Sequence, residues 1–146
     1  MRILIAGGGQ TAALVAARLI KEGNGIVIVE QNPERCEELE EMLDARIIEG
    51  NVTSINTLRK AGIADAEMLI ALTDNDYINV LFCLIASVES NAKVRLVRLR
   101  THEVAHWKRI FQESGAMRLD RPSYGQKTDR IAKSNRIRHG YIRGRP

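Results

Sequence analysis

The glycine loop Gly7-Gly8-Gly9-Gln10-Thr11-Ala12 constrains this chain more than any other feature, because of what stands on either side of it. An apolar run, Arg2-Ile3-Leu4-Ile5-Ala6, leads into it, and a helical pattern follows to Glu22. A second apolar run, Ile26-Val27-Ile28-Val29, ends on Glu30, 23 residues after Gly7. Strand, glycine turn, helix, strand and terminal acid in that order are the fingerprint of a βαβ unit that holds a dinucleotide. Gly7 allows the tight turn out of the strand, and Gly9, lacking Cβ, lets a pyrophosphate approach the backbone. Ala12 supplies the small third position where helix meets strand. Free amides near Gln10 and Thr11, at the positive end of the helix dipole, would hold the diphosphate. Glu30 would accept hydrogen bonds from ribose hydroxyls and repel a 2′-phosphate, which favours NAD or adenine nucleotides over NADP. The plain alternative is a glycine-rich turn that binds nothing.

At 146 residues the chain fits one domain with a substantial core. Met1 directly precedes the first strand pattern, which leads to the expectation of no signal peptide. The longest apolar stretch, Val80 to Ala86, falls far below the roughly 20 residues needed to cross a bilayer. A cytoplasmic chain without membrane insertion is therefore expected. Cys36 and Cys83 form no metal or redox spacing and read as reduced structural thiols, Cys83 in the core and Cys36 among acids that raise its pKa. Residues 121–146 carry eight Lys/Arg against Asp129, whereas the other 120 residues hold 14 basic and 17 acidic side chains. A mildly acidic globule, residues 1–120, is thus predicted to carry a basic C-terminal helix or tail, residues 121–146.

Strands are predicted at 2–6, 26–30, 45–49, 67–72, 94–99 and, weakly, 116–119, with helices between them. Pro33 suits the first turn of a helix at 33–43 capped by Asn32, with Leu39, Met42 and Leu43 as its apolar stripe. The run Glu34, Glu37, Glu38, Glu40 and Glu41 reads as its solvated face rather than a metal site. Ser54 caps a short helix ending at Gly62. A helix from Asp76 to about Glu89 is apolar all round and should be buried on several sides, inside the domain or under a second subunit. Short strands joined by helices give an α/β fold: a Rossmann-like, doubly wound parallel sheet with helices on both faces. Ligands of such folds bind beyond the carboxyl ends of the strands, where strand order reverses.

Four loop segments at those ends carry a family resemblance: Gly7-x-Gly9-x-x-Ala12, Glu49-Gly50-Asn51-Val52-Thr53, Ala71-Leu72-Thr73-Asp74-Asn75-Asp76-x-x-Asn79 and Arg98-Leu99-Arg100. Together they resemble the N-terminal domain of the TrkA-N/KTN (RCK) family over about residues 1–120, the Leu-Thr-x-x-Asp core being the most specific part. The resemblance implies a cytosolic regulatory module that binds NAD(H) or ATP/ADP, assembles with itself as a dimer or ring, and controls a potassium channel or transporter. Through that partner it would lie at the inner membrane. By position, Gly7, Gly9, Gln10 and Thr11 would meet the phosphates, Glu30 and Gln31 the adenosine ribose, and Asn51 and Val52 the adenine. Thr73 and Asp74 would line the distal half of the ligand. Arg98 and Arg100, set on one face by strand alternation, would reach phosphate charge, or else stand exposed or ion-paired. Family members usually carry Asp where Asn51 stands and often Asp at Glu30 and Asn32, so this pocket is less acidic, which bears on the identity of the nucleotide. The resemblance also implies that a helix near 126–135 crosses to another subunit; the basic residues otherwise read as a terminus that attracts anionic lipid or nucleic acid without specificity, or merely solubilises.

No catalytic constellation accompanies the loop. His102 and His106 lie at i and i+4 with no third metal ligand, and His139 stands apart. Tyr77, Tyr124 and Tyr141 are followed at +4 by Leu81, Thr128 and Arg145, so no Tyr-x-x-x-Lys pair exists. Tyr124 and Tyr141 are too isolated to stack bases, and a nucleic-acid partner is not expected. The nucleotide reads as a signal rather than a reagent, with the cofactor domain of a small or truncated NAD-dependent oxidoreductase as the rival reading.

Overall fold

The protein is described here by a computed structural model covering residues 1–101 together with His106 and Arg109. Five strands, β1 (Arg2–Ala6), β2 (Gly25–Glu30), β3 (Arg46–Glu49), β4 (Met68–Ala71) and β5 (Val94–Val97), alternate with helices α1 (Gln10–Lys21), α2 (Pro33–Met42), α3 (Ile55–Lys60) and α4 (Asp76–Glu89). The strands form one parallel sheet in the order β3-β2-β1-β4-β5. The chain leaves β1 toward β2 and β3, then returns to the other side of β1 with β4 and β5. The strand order therefore reverses between β1 and β4, where the loops diverge and open a crevice. The α/β, doubly wound architecture is as expected from the sequence.

Both faces of the sheet are covered, which is why its strands read as continuous apolar runs. Ile3, Ile5, Ile26, Ile28 and Ile70 pack against Ala12, Ala13 and Ala16 of α1 and Leu39 of α2. Leu4, Ala6, Val29, Leu69, Ala71 and Val97 pack on the opposite face against Leu58 of α3 and Phe82, Cys83 and Ala86 of α4. Alanines on the buried side of α1 let its backbone sit close to β1, with Ala12 fully enclosed. Among α1–α4, three begin on a side-chain cap: Asn32 accepts from Arg35 N, Ser54 from Thr57 N, and Asn75 from Tyr77 N and Ile78 N. The fourth, α1, begins on Gly9, which has no side chain to offer.

Several boundaries differ from expectation. β3, β4 and β5 are shorter than their apolar runs, and α3 stops at Lys60, with Gly62 in the left-handed region (φ +81°) before a 3-10 turn at Ile63–Asp65. On α2 the apolar stripe is Cys36 and Leu39 with half-buried Leu43, while Met42, turned off that face, is 64% exposed. α4 is not enclosed on all sides among the described residues. A helix laid on a sheet buries one face, so Val80, Phe82, Cys83 and Ala86 are covered while Tyr77, Leu81 and Val88 remain exposed. His106 is helical and exposed. The expected strand at 116–119, the helix near 126–135, His102, His139 and the basic segment 121–146 lie outside the described residues.

Candidate functional site

The three consecutive glycines have three different surroundings. Gly7 adopts φ +95° and donates its amide to Val29 O at 2.8 Å; a Cβ there would lie 2.9 Å from Thr73 N, so only glycine lets the β4 loop approach. Gly8 is buried, and its Cβ would strike Leu39 Cδ1 at 2.6 Å and Glu30 Oε2 at 3.0 Å. Gly9 is exposed, in extended conformation at the head of α1, with nothing within 4 Å of where a Cβ would stand. The wall is thus built by Gly7 and Gly8, and the open space belongs to Gly9. Gln10 and Thr11 follow on the exposed first turn.

Glu30, at the end of β2, turns its carboxylate back onto this loop. Oε2 accepts from Gly8 N at 2.7 Å and Oε1 from Asn32 N at 2.8 Å. From the first turn of α2, Arg35 donates Nε to Gly8 O at 2.6 Å, while its Nη1 pairs with Glu38. Glu30 O also receives Gly50 N at 2.9 Å, which draws the exit of β3 alongside that of β2. There Val52 is buried, and the exposed Asn51 spends its side-chain oxygen on Thr53 N and Thr53 Oγ1, both at 2.8 Å. Cys36 Sγ lies 3.4 Å from Glu30 O. Burial chiefly, then the negative charge of Glu30, Glu49 and Glu40, raises its pKa; the acids named by the sequence contribute, but second.

On the other side of the crevice one buried residue organises the backbone. Asn79 is fully enclosed; its Oδ1 accepts from Thr73 N at 3.0 Å and Thr73 Oγ1 at 2.6 Å. Its Nδ2 donates to Thr73 O at 3.1 Å and Arg98 O at 2.9 Å. Asp76 Oδ2 accepts from Arg100 N at 2.9 Å and Thr101 N at 2.8 Å. Both links fix the segment after β5: the strand ends at Val97, but burial goes on alternating beyond it, with Arg98 and Arg100 on either side of the buried Leu99. The environments of the two arginines differ. Arg98 is half-buried and reaches back to donate Nη1 to Thr11 Oγ1 at 3.1 Å, whereas Arg100 is exposed. Burial above all, with Arg100 second, holds the Arg98 pKa below the ordinary arginine range against the opposing pull of Asp76 and Asp74.

The structure therefore brings together Gly7 with Thr73, the glycine loop with Glu30, and Thr11 with Arg98. Gln31 and Asp74 are exposed at the same edge and Asn51 is folded into its own turn. Gly8, Arg35, Asp76 and Asn79 carry much of the local geometry, although sequence reasoning gave none of them a site role. Asn79 had a visible signal as the one amide just before the apolar run of α4. No group of three or more His, Cys, Asp or Glu able to hold a metal occurs among the described residues, and none of their helices is long and apolar enough to cross a membrane.

Comparison with known proteins matches residues 3–121 to the TrkA-N domain. The Trk system potassium uptake protein TrkA of Vibrio alginolyticus is 36% identical over 120 residues, which is 82% of this chain and 26% of that relative. The chain spans about a quarter of the length of such relatives. Among solved structures, the TrkA-N domain of the Escherichia coli inner membrane protein ybaL superposes with a TM-score of 0.69 at 20% identity, covering 91% of this chain and 92% of that one. The GsuK channel bound to NAD superposes with a TM-score of 0.63 at 22% identity, over 80% of this chain and 20% of that one. At these identities the superpositions speak to the fold.

Proposed function

The chain belongs to the TrkA-N domain family, and on that premise we propose that it is a regulatory nucleotide-binding module, taking NAD(H) or ATP/ADP between β1 and β4, that controls a potassium channel or transporter. Residues 1–120 constitute the module and 121–146 a basic extension of it. Gly9, Gln10, Thr11, Arg98 and Arg100 serve the phosphates above the tight turn that Gly7 makes, Glu30 and Gln31 the ribose, Asn51 and Val52 the adenine, and Thr73 and Asp74 the distal half of the ligand. The observation that carries this reading is Gly9: it heads α1 with open space around it while its two neighbours are walled in. An uncapped helix start with free amides favours an anion by charge and by hydrogen bonding.

The Glu30 carboxylate supports a ribose and opposes a 2′-phosphate. Two of its roughly four acceptor positions are taken by amides, which leaves capacity for a hydroxyl. Nucleotide would act as a signal, by differential affinity for two arrangements of an assembly of this chain with its copies and a membrane transporter on the cytoplasmic side. The exposed Tyr77, Leu81 and Val88 on α4 support such an assembly.

Calorimetry with NADH, NAD, ATP, ADP and NADP tests the reading. Binding of an adenine nucleotide in the range of about 1–100 μM (roughly −5 to −8 kcal/mol), at least about tenfold weaker for NADP, is expected. Failure of all five to bind sinks it. Hydride transfer from bound NADH to a keto acid, or from a hydroxy acid to bound NAD, would move the chain to the oxidoreductase reading.

A further inference from the structure

We infer that Arg35 is a positioning residue for the phosphate-facing amide of Gly9, acting through the Gly8–Gly9 peptide; this rests on the nucleotide-binding reading above. The amide of Gly7 is spent on Val29 O and that of Gly8 on the Glu30 carboxylate. Among the described residues, the Gly9 amide is the first in the loop without an acceptor. Its direction is set from the far side of its own peptide. In a trans peptide the carbonyl of one residue and the N–H of the next point opposite ways. The Gly8 carbonyl points at Arg35 Nε, 2.6 Å away, so the Gly9 N–H points away from Arg35 and α2.

A peptide between two glycines has little intrinsic preference for one orientation, because both flanking residues reach regions closed to other side chains. Turned over, it would aim a carbonyl dipole where the amide now points, and an anion would meet repulsion. Arg35 opposes that turn with a charge-assisted hydrogen bond. The guanidinium is itself fixed, its Nη1 held by Glu38 one helical turn on and its backbone N–H bonded to the Asn32 cap. Glu30 completes the clamp, binding the Gly8 amide with one oxygen and Asn32 N with the other. Gly8 is thus held at both its polar atoms by side chains of opposite charge. Solvation of an exposed α2 would require none of this: the Nε of a half-buried arginine is spent on a loop carbonyl 27 residues earlier.

Binding of ADP and of adenosine to the whole chain and to the Arg35→Met and Arg35→Lys variants separates positioning from general support. Arg35→Met loses about tenfold in ADP affinity, the worth of one charge-assisted hydrogen bond, and binds adenosine within about twofold of the parent. Arg35→Lys, which keeps a donor for the Gly8 carbonyl, retains most of the ADP affinity. Unchanged ADP binding in Arg35→Met, or an equal loss for ADP and adenosine, overturns the inference. Should Arg35→Met not fold, the parent chain still decides it: the Gly9 amide proton moves downfield in NMR as ADP saturates the protein, and an unmoved Gly9 amide in a chain that binds ADP by calorimetry overturns it. A parent chain that binds neither ligand rejects the nucleotide-binding reading instead.

Discussion

The loop beyond β1 and the loop beyond β4 face each other across the crevice, yet they are held by different means. The first is clamped at Gly8 by a carboxylate and a guanidinium, from side chains that remain partly open to water. The second is clamped at Thr73 and Arg98 by a single neutral amide, Asn79, with no exposure at all. The difference follows from desolvation. A charged clamp near water keeps much of its solvation and contributes little net stability, but it sets the direction of dipoles where an anion would sit. A neutral amide is far cheaper to bury than an ion, and once enclosed with four hydrogen bonds it becomes expensive to remove. The β1 side should therefore govern affinity, and the β4 side stability.

Asn79→Leu is the severest test of that division. The substitution keeps the branched shape, in a somewhat larger side chain, but leaves Thr73 N, Thr73 O and Arg98 O without the partner they now share. A loss of about 3 kcal/mol in unfolding free energy is expected, read as a lower urea midpoint. A change under about 1 kcal/mol would mean that the β4 side is not the stabilising half. Gly9→Val probes the other half. No atom lies within 4 Å of the added Cβ, so stability should fall by less than about 1 kcal/mol, while ADP or NADH affinity should drop at least about a hundredfold, roughly 2.7 kcal/mol. A Gly9→Val chain that binds as before places any nucleotide elsewhere.

The same contrast explains what could be read from the sequence. β1, the glycine loop and α1 were legible because their signals are local: an apolar strand buried on both faces, glycines at fixed offsets, alanines on one side of a helix. The helix starts at Pro33 and Ile55 were legible through Asn32 and Ser54, which bond within the same turn. The end of β5 was not, because Leu99 is buried like a strand residue although the ladder stops at Val97. Arg35 and Asn79 were missed for a different reason. Their bonds to Gly8 O and Arg98 O span 27 and 19 residues of sequence, and such a link leaves no periodicity to detect. In sequence Arg35 looks like one base in an acidic helix, and only the fold brings it to the loop.

The mildest test uses the two thiols, one in each half. Cys83, packed in α4 on the β4 side, has its pKa pushed by burial from 9.0 up to about 12, the nearby Arg95 charge only partly opposing it. Its folded pKa is raised, so the neutral thiol's contribution is fully present below the unfolded pKa near 9 and is lost as pH rises toward 12. By pH 10 that loss is on the order of 1 kcal/mol relative to neutral pH, and it should be missing from the stability profile of Cys83→Ala. Cys36, behind Glu30, is raised in the same direction, but it sits under the loop that a ligand would tighten. At pH 8 a thiol reagent should therefore label Cys36 faster than Cys83, with ADP slowing Cys36 alone, because local opening of the charged half takes less free energy than opening of the core around Asn79. Equal labelling rates at the two cysteines, or equal protection of both by ADP, would show that the halves open as one unit and that the separation of affinity from stability does not extend to their motions.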